Sequence, residues 1–232
     1  DECPICMIPM PLCATESAYY PCCGKYLCLG CISADMRPDG RRICAFCRAP
    51  LHTSDGEYIK RIKKRVEADD ADAICNLGFF YRDGENGLQQ DHGKALDLWR
   101  RAGELGEARA HYSIGYANSK GEGVGRDTMK AKYYYELAAM GGDVDARFNL
   151  GLFETRVGNE NRAVKHWMIS AGAGHDKSLD MIRECFVKGH ATKDDFEKAL
   201  RAHKDSKDEM KSDKREEVAA QIAARRAART PS

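Results

Sequence analysis

The sequence predicts two architectures in series: a small, metal-stabilised cysteine-rich module and an all-α solenoid of helical hairpins. Two observations carry this expectation. Nine of the eleven cysteines lie before residue 50, mostly in C-x-x-C pairs, and only Cys75 and Cys185 lie beyond. From residue 69 onward the chain repeats itself at a period near 36 residues, which is the signature of stacked supersecondary units.

The cysteine pattern reads Cys3-x2-Cys6, Cys22-Cys23, Cys28-x2-Cys31 and Cys44-x2-Cys47. A C-x-x-C knuckle can place two thiolates on one tetrahedral ion, so four pairs supply ligands for two ions. Such sites provide folding energy that a segment of about 50 residues otherwise lacks. A disulfide lattice would not stop after one fifth of the chain, so the distribution favours bound zinc in a reducing compartment, cytoplasmic or nuclear. Cys13 is left over; it is a spare thiol that could substitute for a ligand, but it reads better as a small buried apolar side chain.

The motifs CPIC, PCCGKYLCLGCI and CAFCRAP, covering residues 3–50, resemble the RING finger. That resemblance implies a small α+β fold in which alternate pairs share a metal. Cys3, Cys6, Cys28 and Cys31 would hold the first zinc, and Cys22, Cys23, Cys44 and Cys47 the second. Lys25 stands where the family usually has histidine, and an ammonium cannot ligate zinc, so the vicinal Cys22-Cys23 pair gives an all-cysteine variant. The resemblance also implies a ubiquitin ligase that orients a ubiquitin-conjugating enzyme and has no catalytic residue of its own. The contact positions would be Ile5, Ile32, Ala45 and Arg48, with Ala45 replacing the usual proline. The alternative is a non-catalytic, zinc-stabilised scaffold or adaptor in which Ile5 and Ile32 only pack the metal lobes.

Residues 53–68 read as a linking helix. Ser54 and Glu57 fit a capping box, Ile59, Ile62 and Val66 share a face, and Lys60 to Arg65 form its solvated side. The repeats follow over residues 69–203, in units of about 69–106, 107–142, 143–174 and a degenerate 175–203. Ala73, Leu77 and Gly78 recur as Ala110, Ile114 and Gly115, then as Ala146, Leu150 and Gly151. Trp99, Tyr135 and Trp167 correspond, as do the closing Gly106, Gly142 and Gly174. The third unit has lost about four residues of its middle loop. The fourth would place Ser178 and Ile182 on a first helix and start its second at Thr192 or Asp194. One hairpin cannot bury its own apolar face, so the units must stack.

The pattern A-x-x-x-L-G, the Gly-x-Gly loop, Lys-Ala and the terminal A-A-x-x-G over Ala71 to Gly174 resemble the Sel-1-like repeat. The middle unit fits best, with Gly121, Gly123, Lys130-Ala131, Ala138-Ala139 and Gly142. This resemblance implies a surface that binds a substrate or adaptor protein. His52, His111, His166 and His175 have no metal spacing. Residues 204–232 form a charged, Ala-rich tail, expected as an exposed helix docked at most on the last repeat. Thirty-seven basic residues against thirty-six acidic give a net charge of +1, which offers no case for nucleic acid as a partner. No apolar run reaches bilayer length.

Overall fold

The structure, a computed structural model, describes residues 2–12, 16–34 and 42–227, with side chains up to 224. Cys13 lies outside the described residues. The chain divides into two units: residues 1–53 together with 207–232, and residues 54–206.

The first unit begins with a knuckle closed by an isolated antiparallel bridge between Glu2 and Pro9. A hairpin follows, strand β1 (Ser17–Tyr20) paired with β2 (Lys25–Cys28) in the register Ser17–Cys28 to Tyr20–Lys25. Its tip is Pro21–Gly24, where Cys23 and Gly24 donate their N–H groups to the Tyr20 carbonyl and Gly24 takes φ +68°. Gly24 meets the left-handed requirement of that turn without a Cβ penalty. Helix α1 (Leu29–Ala34) comes next, then a second knuckle bridged at Ile43–Pro50. Leu27 and Tyr19 are buried, and the Tyr19 ring lies 5.2 Å from that of its cross-strand partner Tyr26.

The second unit is the solenoid. Helix α2 (Asp55–Glu67) is capped by Ser54, whose hydroxyl accepts from the Glu57 N–H, and it buries Ile59 and Ile62. Of the basic run on its outer face, Arg61 pairs with Glu57 and Arg65 with Asp70. Six helices of thirteen residues follow: α3 (Ala71–Asp83), α4 (His92–Glu104), α5 (Ala108–Lys120), α6 (Thr128–Met140), α7 (Val144–Arg156) and α8 (Glu160–Gly172). Asp70, Asp91, Asp127 and Asp143 cap four of them by accepting backbone N–H groups, which satisfies donors the first turn leaves open.

The recurring Gly–aromatic pairs set the spacing within each hairpin. Gly78 lets Trp99 approach α3, and the indole Nε1 donates to the Cys75 carbonyl at 3.2 Å. Gly115 admits Tyr135 in the same way, and Gly151 admits Trp167, whose Nε1 donates to the Phe148 carbonyl at 3.1 Å. The closing glycines lie one residue beyond the cap: Leu105, Gly141 and Ala173 are the C-caps, and Gly106, Gly142 and Gly174 then turn with φ near +90°. This is the left-handed stop that glycine supplies cheaply.

The shortened third loop has its own solution. Asn159 makes no cap bond to α8; its amide donates instead to the buried Glu154 carboxylate at 2.9 Å. A fourth pair, α9 (Asp176–Val187) and α10 (Lys193–Glu209), continues the stack with Leu179, Ile182, Cys185 and Ala199 packed against Trp167 and Ala171. Thr192 and Asp195 form a reciprocal cap. His175 caps α9, its Nδ1 accepting from the Ser178 N–H.

The tail departs from the sequence expectation. Its helix is interrupted at residues 210–212, and the second part, α11 (Asp213–Ala227), packs against α1 of the first unit, a contact the sequence expectation did not include. The reason is a half-buried polar contact at Arg215, described below, for which a charged, alanine-rich run carries no local signal.

Candidate metal centres and repeat surface

Among the described residues, eight cysteines gather into two groups of four: Cys3, Cys6, Cys28 and Cys31, and Cys22, Cys23, Cys44 and Cys47. Within each group all ligand atoms lie within 4.8 Å of one another. The sulfurs are those of free cysteines and stand in for the thiolates a metal would bind. The described cysteines form no disulfide.

The local fold explains the grouping. Each knuckle folds its C-x-x-C pair around a tight turn: Met7 N–H donates to the Cys3 carbonyl at 2.8 Å, and Arg48 N–H to the Cys44 carbonyl at 3.0 Å. Met7 and Arg48, each directly after the second cysteine of its pair, take φ +58° and +63°. The two turns are therefore conformational copies. The hairpin then delivers its base, Cys28 with Cys31 on α1, to the first knuckle and its tip, Cys22 with Cys23, to the second.

The donor sets fit a tetrahedral cation. Four sulfurs around a tetrahedral zinc, with bonds of about 2.3 Å, stand roughly 3.8 Å apart. Cys6 and Cys28 Sγ are 3.9 Å apart, Cys23 and Cys44 3.9 Å, and Cys22 and Cys47 3.5 Å. Each group could hold a metal ion. Cys22, tight beside its neighbour in the chain, is brought together with Cys23, Cys44 and Cys47.

The thiols differ in proton affinity for local reasons. Burial pushes Cys3 up, but N–H groups of Cys28, Cys6 and Ile5 outweigh it and hold the thiol near 6. Cys23 is pushed up to about 11, by burial first and then by the neighbouring Cys44. Cys22 and Cys31 are raised further, again chiefly by burial. Cys47 is lowered: burial opposes it, but the Ala49 N–H and the surrounding sulfurs prevail. A cation shared by each group would favour the ionised form of all four.

The remaining sequence candidates fall around these clusters. Ile5 is 40% exposed in the first knuckle, Ile32 is half-buried on α1, and Ala45 and Arg48 lie half-buried and exposed in the second knuckle. Lys25, at the histidine position of the resemblance, opens β2 and is exposed. Of the histidines, His175 serves as a helix cap and His111 packs over Gly103 and stacks on Tyr134.

Sequence reasoning missed Arg215. Its Nη1 donates to the carbonyls of Pro9 and Met210 at 2.7 and 2.8 Å, and its Nη2 to the Ile8 carbonyl at 3.2 Å and toward Cys6 Sγ at 3.6 Å. Helix α11 approaches α1 where Gly30 leaves room: a Cβ there would meet Arg215 Cγ at 3.0 Å and its backbone N at 3.1 Å.

On the solenoid, one surface feature repeats. Near the end of the first helix of three units, α3, α5 and α7, a cation sits over a half-buried aromatic ring: Arg82 over Phe79 at 5.0 Å, Lys120 over Tyr116 at 5.8 Å and Arg156 over Phe153 at 5.5 Å. Such pairs stabilise modestly; Lys120 and Arg156 are exposed, whereas the Arg82 guanidinium is paired with Asp83.

Comparison with known proteins defines the class of the solenoid. Residues 71–107 and 108–143 match the Sel1 repeat family, and the chain carries Sel1 repeats stacked as an α-solenoid. A Sel1 repeat protein from Oxalobacter formigenes superposes with a TM-score of 0.58 at 27% identity, covering 66% of this chain and 64% of that one. A protective antigen of uropathogenic Escherichia coli strains, with an SLR fold, superposes at 0.55 and 28% identity over 66% of this chain and 33% of the other. Among curated proteins, this chain is similar to the ERAD-associated E3 ubiquitin-protein ligase component HRD3B of Arabidopsis thaliana, 31% identical over 113 residues, which is 48% of this chain and 18% of HRD3B. It is also similar to chitin synthase regulatory factor 3 of Schizosaccharomyces pombe, 32% identical over 81 residues, or 35% of this chain and 9% of that protein. The match therefore spans a small part of either relative. No helix among the described residues is long and apolar enough to cross a membrane.

Proposed function

We propose that this protein is an intracellular protein-interaction scaffold: the Sel1 solenoid binds a partner protein, and the N-terminal module is a two-zinc, RING-like finger that presents a second binding surface. The observation that carries the reading is the Sel1 match over residues 71–143 on a solenoid with a repeated cation–aromatic surface. HRD3B is by name a component of a ubiquitin ligase, and a solenoid that delivers a partner suits an adaptor's place in such an assembly. The test is site-specific photo-crosslinking from Tyr116 in the protein's own cells. A partner captured there and lost on Lys120→Glu with Arg156→Glu supports the reading. Capture unaffected by those changes would sink it.

A second reading, ubiquitin ligase, is favoured by the placement of Ile5, Ile32, Ala45 and Arg48 around the two cysteine clusters. Here the finger would orient a charged conjugating enzyme, with Arg48 as the bridging cation suited to bidentate contact. The zinc-loaded protein would then form ubiquitin chains with at least one enzyme of a panel. Arg48→Gly would abolish this, since glycine keeps the left-handed turn while removing the guanidinium. Failure with every conjugating enzyme leaves the scaffold function alone standing.

A further inference from the structure

The two four-cysteine clusters are unequal in their surroundings. The second exposes Cys47, whereas the first is covered by a side chain that arrives from 209 positions further along the chain. We infer that Arg215 is an outer-shell residue of the first metal centre, clamping its knuckle and neutralising its charge, so that the C-terminal helix is a functional part of the finger. This rests on the zinc reading of the clusters.

The geometry has three parts. Nη1 and Nη2 each reach a carbonyl of the chain just after Cys6, Pro9 at 2.7 Å and Ile8 at 3.2 Å, which fixes the turn that orients the first C-x-x-C pair. The same Nη2 lies 3.6 Å from Cys6 Sγ, within reach of a charge-assisted N–H···S contact. The side chain is itself held in place. The Met210 carbonyl accepts from Nη1, the Arg215 N–H donates to the Ser212 hydroxyl at the start of α11, and Gly30 admits the helix to contact.

Physical chemistry gives this arrangement a consequence. Four thiolates on a divalent cation leave net negative charge, and a half-buried guanidinium beside one sulfur offsets it. The same fork ties down the turn that carries Cys6 through the Pro9 and Ile8 carbonyls, so losing the ligand would also require breaking those contacts. Outer-shell partners of metal ligands typically matter by 10- to 100-fold in metal retention. An ammonium could replace the charge but not the fork that reaches Pro9, Ile8 and Cys6 together.

The test uses the full chain loaded with zinc and follows metal release to an excess of a chromogenic chelator. The native protein is expected to release two equivalents in two phases, the slow one being the sole phase in a Cys22→Ser background. Arg215→Met, which keeps the aliphatic stem, should accelerate the slow phase about tenfold and leave the fast one unchanged. Arg215→Lys should fall between the two, and the neighbouring exposed Lys214→Met should match the native protein. If Arg215→Met does not fold, the intermediate rate of Arg215→Lys decides the matter. Two bound zinc ions with a slow phase indifferent to Arg215→Met, or to Arg215→Lys where only that variant folds, would overturn the assignment while leaving the metal reading intact. Uptake of no zinc at all would overturn both.

Discussion

The indole of Trp99 fills the space that a side chain at position 78 would need: a methyl group on Gly78 would stand 2.5 Å from Nε1 and 2.7 Å from Cδ1. Neither atom can retreat freely, because Nε1 is bonded to the Cys75 carbonyl and the ring packs on Phe79 at 5.3 Å. Gly78→Ala is therefore expected to destabilise the protein by about 1–3 kcal/mol, the usual range for overpacking. Gly56→Ala, with nothing within 4 Å of the new methyl group on α2, should stabilise it by about 0.5–1 kcal/mol. Urea unfolding followed by circular dichroism measures both. Equal effects of the two substitutions would contradict the packing account.

The knuckle turns make a prediction about backbone conformation. Met7 holds φ +58° and its side chain is largely exposed, so replacing it loses little packing. A left-handed non-glycine residue costs about 1–2 kcal/mol, part of which glycine returns as lost chain entropy. Met7→Gly should leave the zinc-loaded protein as stable as the native one or slightly more so, whereas β-branched Met7→Val should weaken it. Thermal unfolding in the presence of zinc separates the two.

Two carboxylates should give pH profiles of opposite sign. Asp143, the cap of α7, is raised to about 6, mainly by burial, against an ordinary 3.8. Between those values the folded state holds a proton the unfolded state has lost, so this group's contribution declines as pH rises through the window. Asp143→Asn keeps an acceptor for the Ala146 N–H and carries no charge. Its melting temperature should equal the native one near pH 4 and exceed it progressively toward pH 7. Glu154 runs the other way. Asn159 first, then Lys132 and Arg162, hold its carboxyl below the usual 4.5, so its contribution is present above that pH and fades as pH falls through the lowered value. Glu154→Gln should cost about 1–3 kcal/mol at pH 7 and progressively less in acid. Parallel profiles for the two variants would refute both assignments.

Metal content tests the cluster assignment directly. The native protein is expected to bind two zinc ions and Cys22→Ser one, by elemental analysis after gel filtration. Retention of two ions in Cys22→Ser would remove Cys22 from the second group.

Much of this structure was legible because its signals are local. The Gly–aromatic recurrence at positions 78 and 99, 115 and 135, and 151 and 167 marks the hairpins, since close helix approach requires both a missing Cβ and a large ring. The Ser54–Glu57 cap and the Thr192 start were visible for the same reason. The cap at His175 was not, because histidine serves there only through a nitrogen aimed by the turn itself. The left-handed Met7 and Arg48 were also hidden, as neither residue type advertises a positive φ.

The sequence by itself determined the pairing of cysteines into knuckles, the helical period and the punctuation of the repeats, because each depends on residues a few positions apart. The grouping of the sulfurs into two sets of four was implied only by the RING resemblance, and the tertiary structure supplies its physical reason: the hairpin carries its base to one knuckle and its tip to the other. The tertiary structure alone decided the place of Arg215. One cation in a charged run has no local mark of burial, and the carbonyl of Pro9 that it meets lies 206 residues away.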